Sequence, residues 1–333
     1  MVLIVSEKDD FSTQEVIEWL IYRKIEFIRL TPQDKVSVLE VEISIGQVDF
    51  LLEIDKKESG MKINLRYKDI SFYWYRRGVI NITNFEQFTI EQVVSDYNIG
   101  LINYLSHIRF NLVDFIYSML GKLPNLGNIY FNRINKLSVL VLAQEAGLLI
   151  PYSFMSTSKN IFNFFKSDSE FVYKNFDNFP FKFEKSTGGI YSYTSKFENL
   201  SFNEEKFDIT FFQDLIKKEY DIRTFYLDGK TYSTLIFSQN DTQTAIDFRK
   251  YNNDIPNRTI AYKLPLDIEE KLALLMKMLK LNSGSIDFVI DKNNQIYFLE
   301  VNPVGQFKQV DYPGRFNLPK VICDYIINER RKY

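Results

Sequence analysis

The sequence predicts a mixed α/β (α+β) protein, and three observations support this fold class. Residues 2–30 form a strand-helix-strand start of Rossmann-like character, with an apolar run followed by apolar side chains at helical spacing. Residues 41–77 alternate apolar and polar positions as several β runs. Two strand-like runs within 284–303 flank a polar turn and predict a hairpin.

Bulk composition narrows the class of protein. With 333 residues the chain can form two or three subdomains. A net charge of −2 and a pI near 5.8 argue against nucleic acid or an anionic membrane as the main partner. Cys323 has no second cysteine to pair with, which indicates a reduced, cytoplasmic location. His107 is the single histidine, which disfavours zinc hydrolysis and Ser-His-Asp catalysis.

Two further features bear on location and packing. The first residues lack a basic lead and turn acidic by Glu7, so they do not resemble a signal peptide, and no stretch reaches a membrane-spanning length. The 30 Phe and 21 Tyr indicate either extensive aromatic packing or a surface that contacts peptide. Core packing is the favoured interpretation.

The first elements follow from local signals. Residues 2–5 predict a strand, and Ser12-x-x-Glu15 resembles a capping box that opens a helix. Residues 25–30 predict the next strand. Because no glycine-rich fingerprint follows the first strand, dinucleotide binding there is not supported.

The middle of the N-terminal part changes character. Strands are predicted at 48–54, 62–66 and 70–75, and one or two packed helices at 90–120. Glycine and proline within 121–127 break this helical stretch, which makes the segment a candidate domain boundary.

The second half alternates again between helix and strand. A helix is predicted at 136–146, strands near 171–176, at 207–213 and within 222–238, and a strongly periodic helix at 268–279. No repeat or low-complexity linker interrupts this pattern.

The C-terminal hairpin carries the most informative polar residues. If residues 292–295 form its loop, Asp287 lies opposite Glu300, and Asn302 shares their face. The other face would be uniformly apolar, comprising Ile286, Phe288, Ile290, Tyr297, Leu299 and Val301. Three oxygen ligands on one face suit a hard cation, and Mg²⁺ that keeps waters and binds phosphates fits best. The alternative is a hairpin with two solvated acids.

Two lysines could supply positive charge to phosphates. Lys174 ends a short strand, on one face with Val172, where it could neutralise the α- and β-phosphates of a nucleotide. Lys136 opens a helix from which it could reach the same phosphates. Taken singly, each lysine is more often a solvated surface residue.

An adjacent glycine pair follows Lys174. Gly188 and Gly189 would let backbone N–H groups approach phosphate oxygens and let a loop close over them. An ordinary hairpin turn is the alternative.

A hinge then follows an aromatic strand. Such a segment can offer a backbone C=O and N–H to an adenine edge, with apolar side chains on the ring faces. The candidate nucleotide-binding residues here are Gln213, Asp214, Leu215, Ile216 and Glu219.

Two acid-x-Arg pairs complete the set. Asp221-Ile222-Arg223 begins a strand and points Arg223 inward, where it could hold a phosphate or an acyl-phosphate. Asp247-Phe248-Arg249 repeats the spacing on one face of a second predicted strand. A structural ion pair is as good an interpretation of each as a catalytic role.

Taken together and in this order, the candidate residues resemble the ATP-grasp superfamily over roughly residues 125–310. The sequence is similar to the branch of ribosomal-protein glutamate ligases, where Asp-Ile-Arg and Glu-x-Asn-Pro also occur. It resembles still more closely the ligases of microviridin-type (graspetide) pathways, particularly grasp-with-spasm systems. The segments that carry this closer resemblance are 10–20, 73–78, 135–137, 146–147 and 247–251.

The resemblance implies a fold and a reaction. The expected fold has an N-terminal Rossmann-like pre-ATP-grasp domain at 1–122, a central subdomain at 123–195 and a C-terminal subdomain at 196–333, with ATP between the last two. Such enzymes phosphorylate an Asp or Glu side chain of a precursor peptide, and a Ser or Thr hydroxyl or a Lys amine then displaces phosphate. The expected cofactors are ATP and two Mg²⁺ ions, with Asp287, Glu300 and Asn302 as ligands and Arg223, Arg249 and Lys174 as catalytic groups.

Partners and alternatives follow from the same resemblance. The expected partners are the leader and core of a precursor peptide and a second copy of the chain, with ester links favoured over amides. The leader would dock away from the active site, and the aromatic-rich region 152–212 is the candidate place. One alternative is a ligase that adds a free amino acid to a protein or small-molecule carboxylate. A regulatory or scaffold protein that binds ATP is disfavoured, because all three metal-ligand candidates and both lysines are present.

Overall fold

The computed structural model describes residues 1–84, 99–164, 170–174, 182–184, 189–191, 195–196, 206–240, 246–247 and 256–330. These residues cluster into two compact units, one of residues 1–132 with 317–333 and one of residues 133–316. The three-way division predicted from the sequence stays a prediction. Within the described part of the chain, no helix has the length and apolar character needed to cross a membrane.

The described elements run in the following order. The helices are α1 (Phe11–Tyr22), α2 (Ile99–Leu120), α3 (Lys136–Glu145), α4 (Leu266–Met278), α5 (Lys308–Gly314) and α6 (Leu318–Arg330). The strands of the first unit are β1 (Val2–Val5), β2 (Phe27–Leu30), β3 (Lys35–Ser44), β4 (Gln47–Asp55), β5 (Lys62–Arg66), β6 (Phe72–Tyr75) and β7 (Asn125–Leu126). Those of the second unit are β8 (Ser153–Ser158), β9 (Phe171–Lys174), β10 (Lys182–Glu184), β11 (Gly189–Tyr191), β12 (Ser195–Lys196), β13 (Lys206–Asp214), β14 (Lys218–Leu227), β15 (Lys230–Ile236), β16 (Thr259–Tyr262), β17 (Ser283–Asp291) and β18 (Ile296–Asn302).

A parallel sheet forms the centre of the first unit, with strand order β2-β1-β6-β7. Every residue of β1 and β6 is buried, as expected for continuous apolar runs in a parallel sheet. Parallel pairing of β1 with β2 confirms the strand-helix-strand start. Asn125–Leu126, inside the segment that breaks the helical stretch, pairs with β6 as the fourth strand.

Helix α1 begins earlier than the sequence predicts. Asp10 is its N-cap residue and accepts a hydrogen bond from the backbone N–H of Thr13 at 3.2 Å. Ser12 lies inside the first turn and donates its hydroxyl to Asp10. The predicted Ser12–Glu15 capping box is therefore wrong, because Asp is an equally strong N-cap and stands two residues before Ser12.

A buried ion pair ties this first turn to the end of β6. Arg76 Nε lies 3.1 Å from Asp10 Oδ2, and Arg76 Nη2 donates to Ser12 Oγ at 3.1 Å. Burial lowers the pKa of Arg76 to about 10. The pair joins two of the segments that carry the resemblance, those around residues 10–13 and 73–78.

An antiparallel sheet of order β3-β4-β5 completes the first unit. Phe50, Leu52 and Ile54 alternate along β4 and are all fully buried, and Phe50 contacts the rings of Tyr67 and Phe115. Strand β3 begins at Lys35, ahead of the predicted β region, since Val36 and Val38 pair with Ile54 and Leu52.

Aromatic packing organises the start of the second unit. Phe154, Phe162, Phe171 and Phe212 form one cluster with ring centroids 5.2–5.8 Å apart. The cluster covers the sheet of order β12-β9-β13-β8. For these four rings the core-packing interpretation of the many Phe residues is confirmed.

The second unit also contains an antiparallel sheet of order β16-β15-β14-β17-β18. Ile286 and Phe288 of β17 and Leu272 and Leu275 of α4 are fully buried. This sheet carries the polar residues described next.

Candidate active site

Three charged side chains lie in one row across the five-stranded sheet. Arg223 on β14 pairs with Asp287 on β17, and Asp287 pairs with Glu300 on β18. Residues directly opposite in an antiparallel pair project from the same face. Arg223 Nη1 donates to a carboxylate oxygen of Asp287, and both residues are buried. The predicted inward direction of Arg223 and the predicted pairing of Asp287 with Glu300 are both present.

The hairpin reaches this pairing by a route that the sequence did not predict. Residues 292–295 connect β17 to β18, as predicted, but Ile296 pairs with Ile290 and not with Asp291, so the predicted register is wrong by one residue next to the turn. Asp291 stabilises the turn by accepting hydrogen bonds from the backbone N–H groups of Asn293 and Gln295, each at 2.8 Å. A register shift between Asp287 and Phe288 then compensates for this offset. Such a β-bulge places two residues of one strand opposite one of the other.

The bulge also changes which side chains of β18 face the core. Phe298 is fully buried and contacts Phe288, with ring centroids 5.8 Å apart. Leu299 instead lines a cleft beside Glu300, described below, and Tyr297 is half-buried. The predicted apolar face is therefore wrong at Tyr297 and Leu299, because the bulge shifts the alternation by one residue.

The donor set fits a hard divalent cation. Asp287 and Glu300 supply two carboxylates on adjacent strands, and Asn302, opposite Ser285, ends β18 with an exposed amide. Mg²⁺ binds through one or two carboxylates together with substrate phosphates and waters, and does not need an all-protein cage. The described residues include no group of three or more His, Cys, Asp or Glu placed to hold a metal.

A cleft opens on the same face of the sheet. Its wall is formed by the four hinge residues Gln213, Asp214, Leu215 and Ile216 together with Asp287 and Glu300, and by Val172, Lys218, Asp221, Ile246, Asp247, Val289 and Leu299. The structure thus brings the predicted hinge and two of the predicted metal ligands into one cavity.

The hinge backbone has one donor left for a ligand. The N–H groups of Asp214 and Leu215 donate to Tyr152 O and Glu170 O, each at 2.8 Å, and Ile216 O accepts from the Lys218 N–H at 2.8 Å. The Ile216 N–H has no acceptor among the described residues. A free N–H beside apolar side chains suits the acceptor nitrogen of an adenine ring.

A buried ion pair that the sequence analysis missed lies next to the hinge. Lys218 Nζ is 2.7 Å from both carboxylate oxygens of Asp221 and donates to Ile246 O at 3.3 Å. Ser238 Oγ donates to Asp221 at 2.5 Å. Burial raises the pKa of Asp221, and nearby Asp247 adds to this, whereas Lys218 and Ser238 favour the charged form. The signal in the sequence was a lysine three residues before the Asp-Ile-Arg motif.

Lys136 lies at a neighbouring cavity. Its helix α3 is capped by Asn135, whose side chain accepts from the N–H groups of Leu137 and Ser138 at 3.0 and 3.1 Å. Lys136 lines this cavity together with Gln213 and Glu300, both of which also line the cleft. The helix start therefore places a cation beside the candidate metal ligands.

Two of the remaining candidate residues, Lys174 and Gly189, lie in short strands. The backbone of Lys174 pairs with Phe211 at the end of β9, and Gly189 begins β11 in a hairpin with β10. Gly188 and Arg249 lie outside the described residues, as does much of the candidate leader-docking region 152–212.

Two further candidates differ from expectation. Asp247 is buried at the cleft but is not part of a strand, so the predicted strand around it is not observed at that residue. Glu219 lies at a register shift of β14 and is not among the residues that line the cleft.

Comparison with known proteins gives a likeness of structure. No protein-family model matches the sequence, and no curated protein matches it. The structure is similar to a RiPP-associated ATP-grasp ligase from Chryseobacterium gregarium, solved with ADP and a leader and core peptide, with a TM-score of 0.73, 22% identity and coverage of 98% of this chain and 96% of that one.

Two other solved structures are similar to this chain over nearly its whole length. The macrocyclase MdnC from Microcystis aeruginosa MRC, bound with precursor peptide MdnA, has a TM-score of 0.71, 23% identity and coverage of 98% and 99% of the two chains. The ATP-grasp ligase PsnB, complexed with a minimal precursor, Mg and ADP, has a TM-score of 0.68, 16% identity and coverage of 99% and 97%. The predicted fold class is thereby confirmed: over nearly its whole length, this chain has the ATP-grasp fold.

Proposed function

We propose that this chain is an ATP-dependent ligase that closes rings in a ribosomally made precursor peptide. It would join an Asp or Glu side-chain carboxyl to a Thr or Ser hydroxyl as an ω-ester, or to a Lys amine as an ω-amide. The observation that carries the proposal is the row of Arg223, Asp287 and Glu300 beside a cleft with an adenine-type hinge. Two solved structures with this fold, a ligase with a leader and core peptide and the macrocyclase MdnC with a precursor peptide, support the same substrate class.

The first step needs ATP held with its terminal phosphate near the carboxylate. The Ile216 N–H would bind the adenine ring, and Lys136 and Lys174 would neutralise phosphate charge. Asp287, Glu300 and Asn302 would hold Mg²⁺, which supplies charge stabilisation to the transferring phosphoryl group. An oxygen of the peptide carboxylate attacks the γ-phosphorus, the bond to ADP breaks, and an acyl-phosphate forms on the peptide.

The second step closes the ring. The hydroxyl oxygen or amine of the acceptor side chain attacks the acyl carbon, the bond to phosphate breaks, and the acceptor proton leaves with the phosphate or to solvent. Arg223, and Arg249 as an expectation from the sequence, would hold the departing oxyanion. This chemistry depends on positioning and charge neutralisation. It does not call on His107, which is exposed on α2 in the other compact unit.

A direct test begins with a search of the genes next to this one for a short open reading frame rich in Thr and in Asp or Glu. Incubation of its peptide with ATP, Mg²⁺ and the enzyme should remove one water per ring, as seen by mass spectrometry. Mild alkali then separates the two links, because esters reopen and regain water whereas amides persist. Addition of a free amino acid without dehydration would favour the amino-acid ligase instead.

The finer partner assignments are part of the same proposal. A homodimer and a cytoplasmic location rest on the sequence resemblance and the lone cysteine. Light scattering coupled to size-exclusion chromatography checks the dimer, and a monomeric mass at micromolar concentration would reject it.

A further inference from the structure

Arg223 is held by a residue that the proposed reaction assigns to the metal. Its Nη1 donates to Asp287, and the two side chains are 9% and 6% exposed. That is the one side-chain hydrogen bond that Arg223 makes with the described residues. Its Nε is buried and has no hydrogen-bond partner there. A buried donor without a partner is rare in folded proteins and points to a group that is satisfied in another state.

The order of charges along the row explains the contact. Asp287 stands between Arg223 on one neighbouring strand and Glu300 on the other. Two carboxylates opposite each other repel, and a buried carboxylate requires a counter-charge. Arg223 therefore supplies positive charge to the carboxylate that the proposed function assigns to the divalent cation.

We propose that Arg223 takes the place of the metal at Asp287, and that metal binding releases its guanidinium to hold the anionic oxygen of the peptide carboxyl or acyl-phosphate. This inference rests on the proposed function. A divalent cation and a guanidinium on one buried carboxylate repel each other, so each weakens the binding of the other. By linkage, an anion that binds the released guanidinium strengthens metal binding by the same factor.

Removal of Arg223 should therefore have two opposite effects. Without metal, Arg223→Gln removes a counter-charge from Asp287 and should lower the melting temperature. With metal, the same variant no longer competes, so Mn²⁺ should bind about tenfold more tightly than to wild type, or about 1.4 kcal/mol. Arg223→Lys keeps the charge but loses the planar guanidinium, so its Mn²⁺ affinity should lie between those of wild type and Arg223→Gln.

The matched control is a second buried arginine–aspartate pair. Arg76 and Asp10 are 7% and 9% exposed and lie in the other compact unit. Arg76→Gln should lower the melting temperature as well, but Mn²⁺ should not restore it. If Mn²⁺ restores the melting temperature of Arg223→Gln but not that of Arg76→Gln, Arg223 competes with a metal and does not merely form an ordinary ion pair.

The experiment is a titration of Mn²⁺ by electron paramagnetic resonance in saturating ADP, with melting temperatures measured with and without Mn²⁺. The expected order of Mn²⁺ affinity, from weakest to tightest, is wild type, Arg223→Lys and Arg223→Gln, with Asp287→Asn losing the site.

Equal or weaker Mn²⁺ affinity in both Arg223 variants, with Asp287→Asn still losing the site, would overturn this inference alone. If Arg223→Gln does not fold, the comparison of Arg223→Lys with wild type decides. Absence of Mn²⁺ binding in wild type, or unchanged binding in Asp287→Asn, would instead reject the metal assignment of the proposed function.

Discussion

Lys218 Nζ lies 2.7 Å from both carboxylate oxygens of Asp221, and the two side chains are 7% and 4% exposed. The pair forms part of the cleft wall and connects β14 to Ile246. Because the lysine is withdrawn from water, its replacement leaves a buried carboxylate without its cation. Removal of one partner of a buried ion pair is strongly destabilising, because the remaining charge stays buried without compensation.

We expect Lys218→Met to lower the free energy of unfolding by about 3–5 kcal/mol. The double variant Lys218→Met/Asp221→Asn should recover much of this loss, because no buried charge remains. The matched control is Lys271→Met, which breaks the pair with Asp267, whose side chains are 37% and 63% exposed. That change should cost less than about 1 kcal/mol. Urea denaturation measures all three, and equal losses for Lys218→Met and Lys271→Met would contradict a buried role for Lys218.

We expect Lys136 to contribute to ATP binding and not to the stability of the fold. Its side chain is half-buried at the start of α3, beside Glu300 and Gln213. A charged hydrogen bond to phosphate contributes about 1.5–3 kcal/mol, so Lys136→Met should weaken Mg²⁺–ATP binding by roughly 10- to 100-fold. Calorimetry provides the affinity and circular dichroism the control for folding. An unchanged affinity would remove Lys136 from the nucleotide site.

Glu300→Gln should abolish turnover while leaving the protein folded. The substitution keeps size and hydrogen bonding but removes one carboxylate from the row that includes Asp287. Two opposed acids do not stabilise a native state, so the melting temperature should not fall. Asp228→Asn, at an exposed acid just beyond β14, is the control and should retain full ADP release. Turnover by Glu300→Gln at the wild-type rate would remove Glu300 from the metal site.

The acid stability of the first unit should depend on Asp10. Burial acts against ionisation, but Arg76, Ser12 and the Thr13 N–H together hold the pKa of Asp10 below its ordinary value. A lowered folded-state pKa adds stability above the unfolded pKa of about 3.9, and this stability is lost as the pH falls through the folded-state value.

Wild type should therefore exceed Asp10→Asn in free energy of unfolding most clearly near neutral pH, and the difference should shrink below about pH 4. Asp9→Asn, at the exposed neighbouring acid, should match wild type at both pH values. Denaturant titrations at neutral and acidic pH measure this. A difference that stays constant with pH would show that the Asp10 carboxylate is not the cause.

Sequence patterns predict most of this architecture where one signal dominates locally. The strand at residues 2–5 and the helix from Lys136 are such cases, since an apolar run and a cap at Asn135 allow few alternatives. The predicted start of α1 is wrong because two residues close in sequence, Asp10 and Ser12, are both good N-caps. Alternation alone cannot show which residue accepts the backbone N–H.

The site could be predicted only in part for a related reason. The pairing of Asp287 with Glu300 follows from the alternation of acids and apolar residues. The strand register next to the turn nevertheless differs by one residue from the predicted one, and the bulge restores the predicted pairing. Lys218 was missed because its partner, Asp221, is close in sequence while its burial depends on Ile246, a contact that no local pattern contains. Side-chain contacts that depend on tertiary packing are not visible in local periodicity.

The most direct test of the central claim is the ratio of ADP released to water lost from the peptide, measured in one reaction by chromatography and mass spectrometry. With a Thr- and Asp/Glu-rich precursor peptide from a search of the neighbouring genes, together with ATP and Mg²⁺, we predict one ADP and one lost water per ring, with both signals absent in Glu300→Gln. Release of ADP without dehydration of the peptide, or a gain in mass equal to an added amino acid, would contradict ring closure as the reaction.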